Sequence, residues 1–280
     1  MPPIARLAIF VLAVASCAGV ARAASLRGTF ALQHATPHSA ARLNVTATAD
    51  PLAKRLVFTV ASPGSQRPID RYDVDMTKLM HVVIVSDDFT SFAHVHPTFA
   101  PDGRFTIVHR FPGPGLFHVY ADSVPHGIGQ QVFRFDLQVG AARSNARDVR
   151  PGKASVVADS YAVTLSDTRL RVGAESRLRV CVLKNGTLAD DMQTYLGAAA
   201  HAVFLNARDL TYVHVHPLPT GKDDGMTMDG MSMGAMSMPA VASPDMTLHV
   251  DVREPGTYAL WLQFRAGGAL HVAPFVLTAV

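Results

Sequence analysis

Thirteen residues, "MTMDGMSMGAMSM" from Met226 to Met238, hold six of the chain's eleven methionines among Gly, Ser, Thr and Asp. A thioether is soft and polarizable, has no proton to lose, and prefers Cu(I) to hard cations. The pairs Met226/Met228, Met231/Met233 and Met236/Met238 lie in a segment without a period of 2 or 3.6, so a packed core does not account for them. The chemistry they allow is Cu(I) binding; the bland alternative is an adaptable face or a low-complexity linker.

Histidines supply a second kind of ligand. His94 and His96, and again His214 and His216, stand two residues apart in apolar, β-branched surroundings. In a strand, i and i+2 share a face, so each pair presents two imidazoles side by side. His81 and His201 each precede their pair by thirteen residues, and a strand that turns back would add a third nitrogen. Three imidazole nitrogens suit Cu(II), and also Zn(II) or Ni(II). The competing reading is a polar strand face or a fold-stabilising hydrogen bond.

The elements that must position these residues are strands. "RLNVTAT", "KRLVFTVAS", "HVVIVSD", "RFTIVHRF", "GLFHVYAD" and "VFRFDLQV" in the first half, and "SRLRVCVLKNG", "HAVFLNA", "MTLHVDV", "TYALWLQF" and "HVAPFVLTAV" in the second, are short and bounded by turn residues. The expected fold is all-β: two tandem antiparallel β-sandwich domains of immunoglobulin-like or cupredoxin-like type, at 24–140 and 153–280, joined by a linker at 141–152.

The halves repeat each other. "MHVVIVSDDFTSFAHVHP" (80–97) aligns without a gap on "AHAVFLNARDLTYVHVHP" (200–217), so His81, His94 and His96 correspond to His201, His214 and His216 at an offset of 120. Further on, Gly115 meets Gly256 at an offset of 141, which places an insertion of 21 residues in the second copy. The Met-rich loop, taken as 218–245, is that insertion, and it leaves the chain beside the second histidine pair.

Other candidates carry less. His118 and His126 are expected to be ordinary surface residues, His249 and His271 core or surface, and Met246 a strand residue. Cys181 reads as a half-buried structural thiol, and Tyr258 and Trp261 as sandwich core. Asp223, Asp224 and Asp229 would attract a cation or simply solvate the loop. A blue-copper site needs a Cys thiolate beside histidines, which the spacing does not provide. No Gly-x-Ser-x-Gly, His-Glu-x-x-His or phosphate-loop pattern occurs, so no catalytic residue is assigned and the protein is read as not an enzyme.

Residues 1–23 differ from the rest: Arg6, then "LAIFVLAVAS", then "ARA" before Ala24 predict a secretory signal peptide and a periplasmic or secreted protein. "VASC", ending at Cys17, also fits a lipobox, which would leave the protein anchored by a lipid on Cys17. After cleavage at Ala23, Cys181 has no partner for an internal disulfide. No later run is long enough for a transmembrane helix in the mature chain. The net charge of +3 is scattered without a basic, aromatic-interleaved surface, which argues against nucleic acid as a partner.

At "MDGMSMGAM" the chain resembles the methionine motifs of periplasmic copper-resistance proteins. Over residues 40–280 the "H…HVHP…PG.Y" pattern resembles secreted bacterial proteins of tandem immunoglobulin-like or cupredoxin-like sandwiches. The resemblance implies binding alone, because the Cys-containing ligand motifs of copper oxidases are missing. The function expected is a periplasmic copper-binding protein that sequesters or transfers the ion, with Cu(I) on the Met loop and Cu(II) on the histidines. Another envelope metal-transport protein would be its partner. The alternative is a non-enzymatic extracytoplasmic structural or interaction protein with a Met-rich partner-binding loop.

Overall fold

Strands form where the sequence alternates. Along Ala53–Ala61, Leu56, Phe58 and Val60 are buried while the residues between them are half-buried, and Ser176–Lys184 buries Leu178, Val180 and Val182 in the same way. The computed structural model describes residues 23–32, 35–142, 149–220 and 241–280. The N-terminal apolar run and the six loop methionines therefore lie outside the described residues. Strands are the only extended elements among those described, and no described helix is long and apolar enough to cross a membrane.

Each half is a pair of sheets, antiparallel except where Arg169–Leu170 runs parallel to Ala269–Ala279, which makes the protein an all-β tandem of β-sandwich repeats. In the first, one sheet runs in the order Ala24–Arg27, Ala40–Ala47, Ala53–Ala61, Arg104–Arg110, Thr98–Phe99. The other runs Thr29–Phe30, Gln131–Val139, Gly115–Pro125, Met80–Ser86, Phe92–Val95. Leu43, Leu56, Phe58, Phe105 and Phe135 fill the space between them. The second half repeats this plan, and its counterpart of the second sheet is Arg169–Leu170, Ala269–Ala279, Gly256–Ala266, Ala200–Asn206, Tyr212–Val215. The glycines aligned by sequence each open the long central strand with a positive φ, +157° at Gly115 and +134° at Gly256, a backbone that a side chain would strain.

Met80–Ser86 and Ala200–Asn206 are buried on both faces. Val82 and Ile84 enter the first sandwich core, whereas Val83 and Val85 enter a separate cluster with Val203, Leu205, Tyr120, Tyr212 and Trp261. That cluster lies between the repeats. Tyr120 stacks on Tyr212 at 5.1 Å and Phe92 on Trp261 at 5.3 Å, so each stack takes one ring from each repeat. Such pairs contribute about 0.5–1.5 kcal/mol each beyond their burial. Tyr120 Oη also donates to the Leu210 carbonyl at 2.9 Å, and Tyr212 N donates to Ala31 O at 3.1 Å. Trp261 thus belongs to the junction of the repeats and not to the sandwich core expected for it, whereas Tyr258 does sit in the second sandwich core. The difference follows from strand alternation, because 258, 260 and 262 face inward and 259 and 261 face the other repeat.

Candidate metal centre

The same alternation aims the histidines. His81 shares a face with Val83 and Val85, and His94 lies opposite Val83 on the neighbouring strand, so both point away from the first core and towards the second repeat. His96 continues that face. His201, His214 and His216 are placed identically by their strands. The result is one cluster of six imidazoles at the junction, not two separate sites. The ring of His81 lies 6.1 Å from that of His201 and 5.5 Å from that of His214, and His94 lies 5.2 Å and 5.3 Å from the same two rings. Within a repeat, His81 to His94 is 5.2 Å and His201 to His214 is 5.6 Å, the same range, while His96 and His216 lie closer, at 4.6–4.9 Å, to the rings of their own repeat.

Hydrogen bonds behind the rings decide which nitrogens are bare. His81 Nε2 faces the carbonyl of Asp75 at 3.0 Å, and His201 Nε2 faces that of Tyr195 at 3.0 Å. A carbonyl only accepts, so each Nε2 carries the proton and each Nδ1 of the neutral ring keeps its lone pair. Both carbonyls belong to two-residue turns in which Met76 (φ +41°) and Thr77 (+70°), or Leu196 (+50°) and Gly197 (+80°), adopt left-handed backbone. Such turns suit a hairpin and cost side-chain-bearing residues conformational energy.

His94 Nδ1 lies 3.1 Å from Gln263 Oε1, and His214 Nδ1 lies 3.4 Å from Asp122 Oδ2. These acceptors hold the proton on Nδ1 and leave each Nε2 bare. Asp122 and Gln263 are themselves counterparts, lying opposite His81 and His201 in their sheets. Each serves the other repeat's histidine. Neither repeat supplies the outer partner of its own second histidine.

The nitrogens of each triad then converge, those of His96 and His216 with no outer acceptor among the described residues to fix their tautomer. His81 Nδ1 is 3.0 Å from His94 Nε2 and 3.1 Å from His96 Nε2; His201 Nδ1 is 3.4 Å from His214 Nε2 and 3.0 Å from His216 Nε2. The pairs His81/His94 and His201/His214 have no proton between them once the outer acceptors are satisfied, so they are lone pair against lone pair. Metal–nitrogen bonds of about 2.0–2.1 Å at angles of about 90–110° place ligand nitrogens about 2.9–3.4 Å apart. His81, His94 and His96, and across the junction His94, His201 and His214, are close enough to hold an ion.

Burial disfavours the charged form of five of the six rings. It pushes His81, His94, His201 and His216 below the ordinary histidine value, with the neighbouring His214 adding to the effect, and holds His96 at about 3 by burial and by His81. A cation would not have to displace protons from these nitrogens at neutral pH. His81, His201 and Asp122 are each 1% exposed, whereas His96 and His216 are half-buried at the cluster's edge. Asp75 adds a second carboxyl, pushed up by burial and then by Asp122.

The remaining sequence candidates stand apart. Met226, Met228, Met231, Met233, Met236 and Met238 are outside the described residues; the described chain leaves the second triad through His216 and Leu218–Pro219 before that segment. Met246 is a buried strand residue and Cys181 a half-buried thiol, as expected. His118 is not on the surface: it is 3% exposed, with Nδ1 2.7 Å from Asp136 and Nε2 2.9 Å from Asp87, because residue 118 lies on the face turned towards the second repeat. His126 is exposed beside Asp73, and His271 is buried against Asp159. Sequence reasoning missed Asp122 and Gln263. Their signal was the 141-residue offset already seen at the glycines, extended seven residues along the same strands.

Two β-sandwich repeats sharing one buried histidine cluster define a class of all-β tandem-repeat protein with a histidine centre between its halves. The chain belongs to the family described as domain of unknown function DUF8832, which it matches over residues 37–141 and 154–280. No curated protein matches the chain.

Proposed function

We propose that this is a copper-binding protein of the bacterial periplasm, which sequesters the ion or passes it on through the histidine centre and the Met-rich loop. The observation that carries the reading is the convergence of bare imidazole nitrogens whose other nitrogens are engaged by outer acceptors. A purely structural cluster would alternate donors and acceptors, and two lone pairs at 3.0 Å stabilise nothing until a cation lies between them. Copper is favoured over zinc or nickel by the neighbouring thioethers, which select Cu(I). The loop collects Cu(I), the histidines hold copper in either oxidation state, and an envelope metal-transport protein delivers or receives it.

The test compares the parent with two variants, one with all six loop methionines changed to Ser and one carrying His81→Ala with His201→Ala. Each is titrated with Cu(I) under anaerobic conditions against a competing chelator, and with Cu(II) in air. The methionine variant should lose part of its Cu(I) capacity and keep Cu(II). The histidine variant should lose Cu(II) affinity by more than the ~100-fold that loss of an outer-sphere partner brings. Equal, weak binding by all three proteins would overturn the reading.

A further inference from the structure

Resting on that reading, we propose that the centre is binuclear, with one ion in the His81/His94/His96 triad and a second in the His201/His214/His216 triad, the pair facing each other across the junction of the repeats. Each triad has its own inner nitrogen, His81 Nδ1 or His201 Nδ1, from which the two partners lie 3.0–3.4 Å away. The triads nevertheless do not stand apart. His81 and His94 of the first lie against His201 and His214 of the second, while His96 and His216 flank this four-ring core.

Counting lone pairs favours two ions over one. His94, His201 and His214 also offer ligand atoms within 4.8 Å of one another, so a single shared ion is the competing arrangement. That ion would use the bare Nε2 of His94 and leave His81 Nδ1 without it, although the Asp75 carbonyl fixes His81 in the tautomer whose Nδ1 has no proton to share. Two three-coordinate ions use one nitrogen from each of the six rings, including His96 and His216, whose tautomer no outer acceptor among the described residues fixes. Charge bears on the same count: two cations close together in a buried space repel, and Asp122, 1% exposed and in contact with His214, is the carboxyl group placed beside them. Repulsion between two buried ions is least when each carries a single charge, which makes Cu(I) the ion whose pairing costs least there.

The consequence is a site whose two halves fill separately but whose ions occupy one compartment. The experiment uses the full chain with the six loop methionines replaced by Ser, so that only the histidine centre is counted. Cu(I) is titrated anaerobically against a chelator into this protein and into versions that also carry His96→Leu, His216→Leu or both. The flanking histidines are chosen because they are half-buried and leave the buried four-ring core in place; near-ultraviolet circular dichroism of Trp261, stacked at the junction, checks that the repeats remain docked. Two equivalents in the loop variant and one in each single His variant are expected, with two copper peaks within the cluster in anomalous difference maps of the loaded crystal.

One equivalent, lost in part by either single variant, with one peak among His94, His201 and His214, would overturn the binuclear centre and leave copper binding intact. Absence of binding by the loop variant, with Cu(I) binding retained in the parent, would overturn the binuclear centre and restrict metal handling to the methionines. No binding in either would overturn both readings.

Discussion

The two repeats present the same three histidines on the same strands, but what stands behind them differs. In the first, the outer nitrogen of His94 meets an uncharged amide, Gln263; in the second, that of His214 meets the carboxylate of Asp122. The ligand geometry is duplicated and the electrostatics are not. A carboxylate behind an imidazole makes the ring a stronger donor and adds a negative charge, so on the proposed reading the second triad would be the better host for a higher-charged ion. It is also the triad that continues into the Met-rich segment. The difference teaches that ligand identity and ion preference are set at separate positions, and that the second is set by the opposite repeat.

The largest expected effect breaks the junction itself. Trp261→Ala removes a ring packed on Phe92 and Phe89, and should cost about 3–5 kcal/mol in chemical denaturation. Copper affinity should fall in both triads at once, because Gln263 and Asp122 would no longer be held behind the opposite histidines. If only the second triad weakened, the cross-repeat arrangement would be wrong.

Next comes the asymmetry. Asp122→Asn should weaken Cu(II) binding at the second triad by about 10–100-fold while changing Cu(I) less. Gln263→Glu should strengthen Cu(II) binding at the first. The pair of substitutions together should exchange the preferences of the two triads, read by Cu(II) spectra in proteins that also carry His96→Leu or His216→Leu. Equal effects on both triads would remove the distinction drawn between them.

The smallest effect is on the metal-free protein's response to acid. Five of the six histidines lie below their ordinary value when folded, so the unfolded chain binds more protons below about pH 6.5 and stability must decline as pH falls from there. The decline should continue towards the folded values, about 3 for His96. Asp75, raised by burial, acts in the opposite sense, but it is one group against five. Thermal unfolding of the metal-free protein between pH 7 and 4 should show a falling midpoint, and His96→Gln should make the fall shallower. A flat profile would mean that the rings are not kept neutral by burial.

Much of the architecture was legible in the sequence. "KRLVFTVAS" alternates and forms a half-buried strand, and the gapless correspondence of 80–97 with 200–217 reports two copies of one sandwich. The spacing of His81, His94 and His96 also gave the triad, since a returning strand puts residue 94 beside residue 83. The meeting of the triads was not read, although a clue was present. "HVVIV" and "HAVFL" are continuous apolar runs in an antiparallel sheet, where one face ordinarily meets water. An apolar second face requires a cover, and here each copy covers the other. Trp261 was misplaced and His118 was put on the surface for that same reason. Asp122 was hidden by its type, because one acid within an apolar strand announces no partner until the opposite repeat brings His214 to it.

The junction is made from corresponding residues: Phe92 on Trp261 matches Tyr212 on Tyr120, and His94 on Gln263 matches His214 on Asp122. That is the signature of an isologous contact, in which patch i meets patch j and j meets i. A single copy of the repeat therefore carries a self-complementary face, and two separate identical chains would have formed the same six-histidine chamber about a dyad. Such a homodimer must place the same residue behind both counterparts of His94 and His214, either two carboxylates or two amides. Joining the copies in one polypeptide releases that constraint, and a chamber with a single carboxylate behind its histidines becomes attainable only then.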